Sequence, residues 1–136
     1  GRHGRNRELG FTHGDRVENI RRMGEVSRLF ADAGQIVLTA FISPFRSERS
    51  MVRELLPEGQ FIEIFVKTPL KVCEKRDPKG LYAKARAGEI GFFTGVSSPY
   101  EEPENAEIIL DTEKYSVKEL ISQLIDNLKE REIING

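Results

Sequence analysis

A chain of 136 residues with 21 basic and 22 acidic side chains carries a formal charge of −1. It fits one domain able to bury a core, and it offers no overall positive field to hold a nucleic acid. The single cysteine, Cys73, excludes an internal disulfide, argues against a multi-cysteine zinc site and points to a reducing cytoplasm; no apolar run nears the roughly 20 residues of a membrane span. A soluble protein is therefore expected. Arg2, Arg5, Arg7, Arg16, Arg21 and Arg22 crowd the first 22 residues, which suits a small anionic ligand better than a polymer.

Over residues 14–33, Val17, Ile20, Met23, Val26, Leu29, Phe30 and Ala33 recur at three- and four-residue steps, the period of an amphipathic helix. Thr12 with Asp15 resembles a capping pattern, and Gly34 marks the stop. Residues 36–42 are apolar on both faces and read as a buried parallel strand. Ser47 is placed to cap a second helix that Pro57 and Gly59 break. Residues 61–66 give a second strand. Thr68 followed by Pro69 reads as an N-cap with proline at the first helical position, opening a helix towards Arg76. Residues 107–110 form a third strand, and Ser116 with Glu119 is a capping box opening a last helix with Leu120, Ile121, Leu124, Ile125 and Leu128 on its apolar side. Helices alternating with such strands predict one α/β domain over 1–136, a three-stranded parallel sheet with helices on both faces.

Ligands of open α/β sheets sit beyond the carboxyl ends of the strands. Ser43 to Arg46, Thr68 and Asp111-Thr112 occupy those places, and Arg76 and Thr112 are the candidate nucleotide contacts. Residues 77–95 have the composition of a lid: Lys79, Lys84 and Arg86 for phosphate or sulfate, Gly80, Gly88, Gly91 and Gly95 for bending, Phe92-Phe93 for stacking on a purine. The competing reading is a plain surface helix from Lys79 to Ala87. Ser43 is a ligand contact, a nucleophile or a serine that satisfies its own turn. A nucleophile needs a general base, and His3 and His13 come with no identifiable third group. Arg16 and Asn19 lie three apart and share a helix face; with Phe11 they form a clamp for a nucleotide, unless Arg16 pairs with Glu8 or Asp15. Arg21 and Arg22 read as solvated, and Arg76-Asp77 as a salt-bridged helix end.

Eight segments occur in register: Arg2-His-Gly-Arg-Asn6, Leu9-Gly-Phe11, Asp15-Arg-Val-Glu-Asn19, Phe41-Ile-Ser-Pro-Phe45, Cys73-Glu-Lys-Arg-Asp77, Lys79-Gly-Leu-Tyr82, Lys84-Ala-Arg-Ala-Gly-Glu-Ile90 and Phe93-Thr-Gly95. Together they resemble adenylylsulfate kinase over nearly the whole chain. The resemblance implies the P-loop kinase fold and phosphorylation of the 3′-hydroxyl of adenosine 5′-phosphosulfate by magnesium ATP, giving 3′-phosphoadenosine 5′-phosphosulfate for sulfate assimilation. It implies that Arg2, Phe11, Arg16 and Asn19 hold the adenylylsulfate, with Ile42 and Ser43 at the strand end. Lys79 is then the lid lysine, and Phe92 and Phe93 close over the adenine. In bacterial members the serine matching Ser43 is described as a phosphoserine intermediate. Transfer between two aligned substrates needs positioning and charge neutralisation more than a covalent relay, so substrate contact is the preferred reading. A homodimer and an ATP sulfurylase domain or partner are further implications.

Arg5 stands where the family commonly has leucine, and Gly91 where a lysine or similar polar residue is common. The family's opening strand, glycine-rich phosphate loop and Asp-Gly-Asp-Asn strand end do not occur, and no G-x-x-x-x-G-K-[ST] is present in the 136 residues. The chain is therefore expected to be a C-terminal portion of a kinase and not to transfer phosphate as it stands. The alternatives are an inactive adenylylsulfate-binding or regulatory domain, or another small-molecule P-loop kinase. Without the first strand, residues 36–42 and 61–66 are expected to lack their shared neighbour.

Overall fold

The computed structural model describes residues 4–135, which fall into two compact units, Gly1–Phe61 with Gly91–Glu102 and Ile62–Ile90 with Pro103–Gly136. Arg2, a predicted substrate contact, lies outside the described residues. The lid segment is shared out, its first part in the second unit and its aromatic end in the first.

The first unit opens with a 3₁₀ turn, Gly4–Asn6, followed by helix α1, His13–Asp32. As expected, the Thr12 hydroxyl caps α1 by accepting from the Asp15 backbone N–H at 3.2 Å, and Gly34 ends it with φ of 80°. Helix α2, Arg46–Arg53, packs on α1 at Gly24, where an added Cβ would lie 3.0 Å from a Val52 methyl and 3.1 Å from a Leu55 methyl. Ser47 does not cap α2. The helix starts one residue before it, after the extended Phe45, and Glu101 supplies the acceptor for the Arg46 N–H at 2.9 Å. A cap delivered from 55 residues away leaves no local signature.

Residues 36–42 form no strand, contrary to expectation. Ile36, Leu38, Phe41 and Ile42 are exposed, and this unit holds no strand among its described residues with which their backbone can make a ladder.

The second unit contains a two-stranded parallel sheet of β1, Ile64–Lys67, and β2, Ile108–Asp111, in register from Ile64 opposite Ile108 to Lys67 opposite Asp111. The predicted α/β class and parallel pairing therefore hold with two strands in place of three. Helix α5, Val117–Glu130, opens with the predicted capping box of Ser116 and Glu119 and packs on β2. Ile108, Leu110 and Leu120 form the core, with Ile62, Leu124 and Leu128 against it. Between β1 and β2 lie two short helices of this unit, α3, Leu70–Arg76, and α4, Leu81–Arg86. Pro69 occupies the cap of α3 and not its first turn. Thr68 does not cap it, because its hydroxyl is bonded at 2.5 Å to that of Thr112 at the end of β2.

Candidate functional site

In the first unit, Arg16 is the organising side chain. Its Nε donates to the Phe11 carbonyl at 3.0 Å, its Nη2 to the Phe92 carbonyl at 2.7 Å and its Nη1 to the Thr94 hydroxyl at 3.4 Å. One rigid guanidinium thus fixes the backbone beneath two aromatic rings that stay in solvent, Phe11 at 68% and Phe92 at 64% exposure. Exposed phenyl rings on an anchored backbone offer stacking area with little further ordering cost. A guanidinium has five N–H donors, so Arg16 retains two without an acceptor among the described residues. Phe93 is half-buried: its N–H donates to the Ser97 hydroxyl at 2.9 Å, and its carbonyl accepts from the Val96, Ser97 and Ser98 amides, closing a tight turn. The structure therefore brings Phe11, Arg16 and Phe92 together and gives Phe93 a turn-forming place.

The suggested Arg16 pairing with Glu8 or Asp15 is not what forms. Glu8 pairs with Arg22, and Glu18 takes both Arg21 and Arg22, whose guanidinium groups hold its carboxyl down to about 2. Asn19 is half-buried, with its side-chain oxygen accepting from buried Asn6 at 2.9 Å. That bond ties the 3₁₀ turn to α1.

Ser43 and Ile42 precede α2. Ser43 has φ of 34°, a left-handed backbone unusual for a residue with a Cβ. Arg49 in α2 donates to the Ser43 carbonyl at 2.6 Å and to the Glu101 carbonyl at 2.7 Å. Pro44 is buried, and its carbonyl accepts from the Glu101 N–H at 2.8 Å. Beside this turn lies Glu48, 1% exposed, with neither carboxylate oxygen at hydrogen-bond geometry to a donor among the described residues. Burial pushes its carboxyl above the ordinary value, against the opposing pull of His13, the Phe45 backbone, Arg49 and Arg16. His13 packs edge-on against the Phe45 ring at 4.8 Å. The sequence reading missed Arg49 and Glu48. Their signal was the helical spacing after Phe45, which places residues three and four positions on over one turn of α2.

The second unit carries the other predicted contacts. Lys79 is exposed in the turn between α3 and α4. Arg76 and Asp77 do not pair. Arg76 donates to the Thr112 hydroxyl at 3.2 Å and to its carbonyl at 2.8 Å, joining the two predicted nucleotide contacts at the carboxyl ends of the paired strands. Asp77 accepts instead from the Tyr82 and Ala83 amides at 3.1 and 3.0 Å, capping α4. Desolvation acts upward on its carboxyl, but the Ala83, Tyr82 and Leu81 amides outweigh it and hold it below 3.8. Arg86 is paired with Glu74, which ties α4 to α3. No group of three or more His, Cys, Asp or Glu side chains arranged to hold a metal occurs among the described residues.

A family profile described as adenylylsulphate kinase matches residues 1–111. The adenylyl-sulfate kinase of Marinobacter nauticus is 62% identical over 135 residues, covering 99% of this chain and 68% of that protein. The one from Klebsiella pneumoniae is 63% identical over 135 residues, covering 99% and 67%. Among solved structures, the APS kinase CysC of Mycobacterium tuberculosis in complex with AMPPNP and APS superposes with a TM-score of 0.86 at 47% identity, covering 94% of this chain and 75% of that one. The structure of APE1195 superposes with a TM-score of 0.83 at 40% identity, covering 95% and 73%.

Proposed function

Because this chain belongs to the adenylylsulphate kinase family, we propose that it forms the adenylylsulfate-binding and lid portion of a P-loop kinase that phosphorylates the 3′-hydroxyl of adenosine 5′-phosphosulfate with ATP. The observation that carries this reading is the single guanidinium of Arg16 anchored beneath the exposed rings of Phe11 and Phe92. A purine stacks on such rings, while the remaining guanidinium donors meet the phosphosulfate. On family grounds Arg2, Asn19, Ile42 and Ser43 are assigned to the same substrate, and Lys79 is assigned as the lid lysine. The chemistry asks these groups to bind, align and neutralise, and it asks for no covalent relay through Ser43.

Arg76 and Thr112, joined at the strand ends, are assigned to ATP. Magnesium enters as the ion of the co-substrate. The described residues do not compose a set of three or more His, Cys, Asp or Glu ligands for it, and none is assigned to it. A G-x-x-x-x-G-K-[ST] loop is absent from these 136 residues, so the chain alone is assigned adenylylsulfate binding without turnover. The exposed, unpaired residues 36–42 agree with a sheet that is completed from elsewhere. A cytoplasmic setting, a homodimer and an association with ATP sulfurylase belong to the same proposal, on family grounds.

The test measures adenylylsulfate-dependent ADP release for the full-length protein and for the 136-residue chain. Release by the first and binding without release by the second are expected. Adenylylsulfate that neither binds nor stimulates release in the full-length protein would sink the reading.

A further inference from the structure

Ser43, Phe92 and Glu132 carry side chains on backbone with φ of 34°, 55° and 57°, inside the left-handed region. Backbone of this kind costs about 1–3 kcal/mol and persists only where its surroundings impose it. At Ser43 the imposing group is the guanidinium of Arg49, whose two terminal nitrogens reach the Ser43 and Glu101 carbonyls at 2.6 and 2.7 Å and which stands 6.0 Å from the Tyr100 ring centroid. A planar fork fixes both acceptors at once, as an ammonium does not. Phe92, with φ of 55°, shows the same arrangement, its carbonyl held by Arg16 at 2.7 Å. Glu132 instead ends α5 through helix-stop amide bonds. The two strained residues in the first unit are thus each clamped by an arginine, and both are assigned to the adenylylsulfate.

We propose that Arg49 is a positioning residue: its two carbonyl bonds hold Ser43 in the left-handed conformation that presents the Ile42-Ser43 turn to adenylylsulfate. This rests on the reading of Ser43 as a substrate contact. Arg49 itself sits in α2 and acts through the turn.

The test is a double-mutant cycle in the full-length protein, read as adenylylsulfate and ATP dissociation constants by calorimetry together with the thermal midpoint. Arg49→Lys is expected to weaken adenylylsulfate binding about tenfold, the scale of one lost charge-assisted hydrogen bond, while ATP binding stays within about twofold. Glycine adopts positive φ without penalty, so in a Ser43→Gly background the same substitution is expected to cost about twofold or less. An equal penalty in both backgrounds, or a fall in ATP affinity matching that for adenylylsulfate, overturns the clamp and leaves Arg49 a general structural residue. Should Arg49→Lys fail to fold, Arg49→Gln, which keeps a planar donor without the charge, is put through the same cycle with the same criteria. Parental affinity in Ser43→Gly alone overturns the substrate-contact reading instead, and is distinguishable because it appears without any change at Arg49.

Discussion

Replacing Arg16 by alanine removes two bonds to carbonyls at 3.0 and 2.7 Å, beneath Phe11 and Phe92, and a longer one to the Thr94 hydroxyl at 3.4 Å. A hydrogen bond from a charged donor contributes about 1.5–3 kcal/mol in a dry setting. Both carbonyl bonds lie in exposed surroundings, so about 1 kcal/mol each is the better figure, and the hydroxyl bond adds little. The sum of about 2 kcal/mol corresponds to roughly 30-fold weaker adenylylsulfate binding, with direct contacts to the phosphosulfate adding to it. Arg16→Lys, which supplies a point charge without a fork, is expected near tenfold, because it reaches one carbonyl and not both. Isothermal titration of the full-length protein with adenosine 5′-phosphosulfate measures both. Parental affinity in Arg16→Ala would refute the view that this guanidinium organises the rings.

Other consequences concern packing and pH. Gly24→Val drives methyl groups into Val52 and Leu55, where even a bare Cβ would lie at 3.0 and 3.1 Å. A loss of about 1–3 kcal/mol is expected by denaturant titration, and an unchanged midpoint would contradict the α1–α2 contact. Glu48 has its carboxyl raised by burial, so the folded state binds its proton more tightly than the unfolded one. Its contribution is complete below the ordinary 4.5 and is lost as pH rises through the raised folded value. Glu48→Gln is therefore expected to match the parent in acid and to exceed it by about 1 kcal/mol at neutral pH, the scale of an unsatisfied buried acceptor; identical thermal midpoints across that range would count against it. Asp77 has the opposite sign, its contribution being present above 3.8 and lost as pH falls through the depressed folded value. Hydrogen exchange at the Tyr82 and Ala83 amides should quicken in Asp77→Ala at neutral pH, and unchanged protection would refute the cap.

The elements legible in the sequence were those whose signals are local. Thr12 with Asp15 and Ser116 with Glu119 cap the helices they precede because donor and acceptor lie within four residues. The strands that form, β1 and β2, have each other as partners. Residues 36–42 have an equally apolar sequence and no ladder, since strand formation depends on a neighbour as well as on composition. Ser47 misled because Glu101 does its work from a distant segment, and Thr68 because Thr112 claims its hydroxyl. At the candidate site, residue types pointed to Phe11, Arg16 and Phe92, but the three bonds that unite them run across up to 78 positions. Helical spacing after Phe45 places Arg49 over the turn, but its function lies in the Ser43 and Glu101 carbonyls it holds, and carbonyls leave no trace in a sequence.

The most direct measurement is the transfer of the γ-phosphate of ATP to adenosine 5′-phosphosulfate, followed as the 3′-phosphorylated product, by the full-length protein and by the 136-residue chain alone. Product from the full-length protein, with binding but no product from the chain, is predicted. Product formed by the chain alone would contradict the assignment of phosphate handling to residues outside it, and no product from the full-length protein would contradict the kinase reading itself.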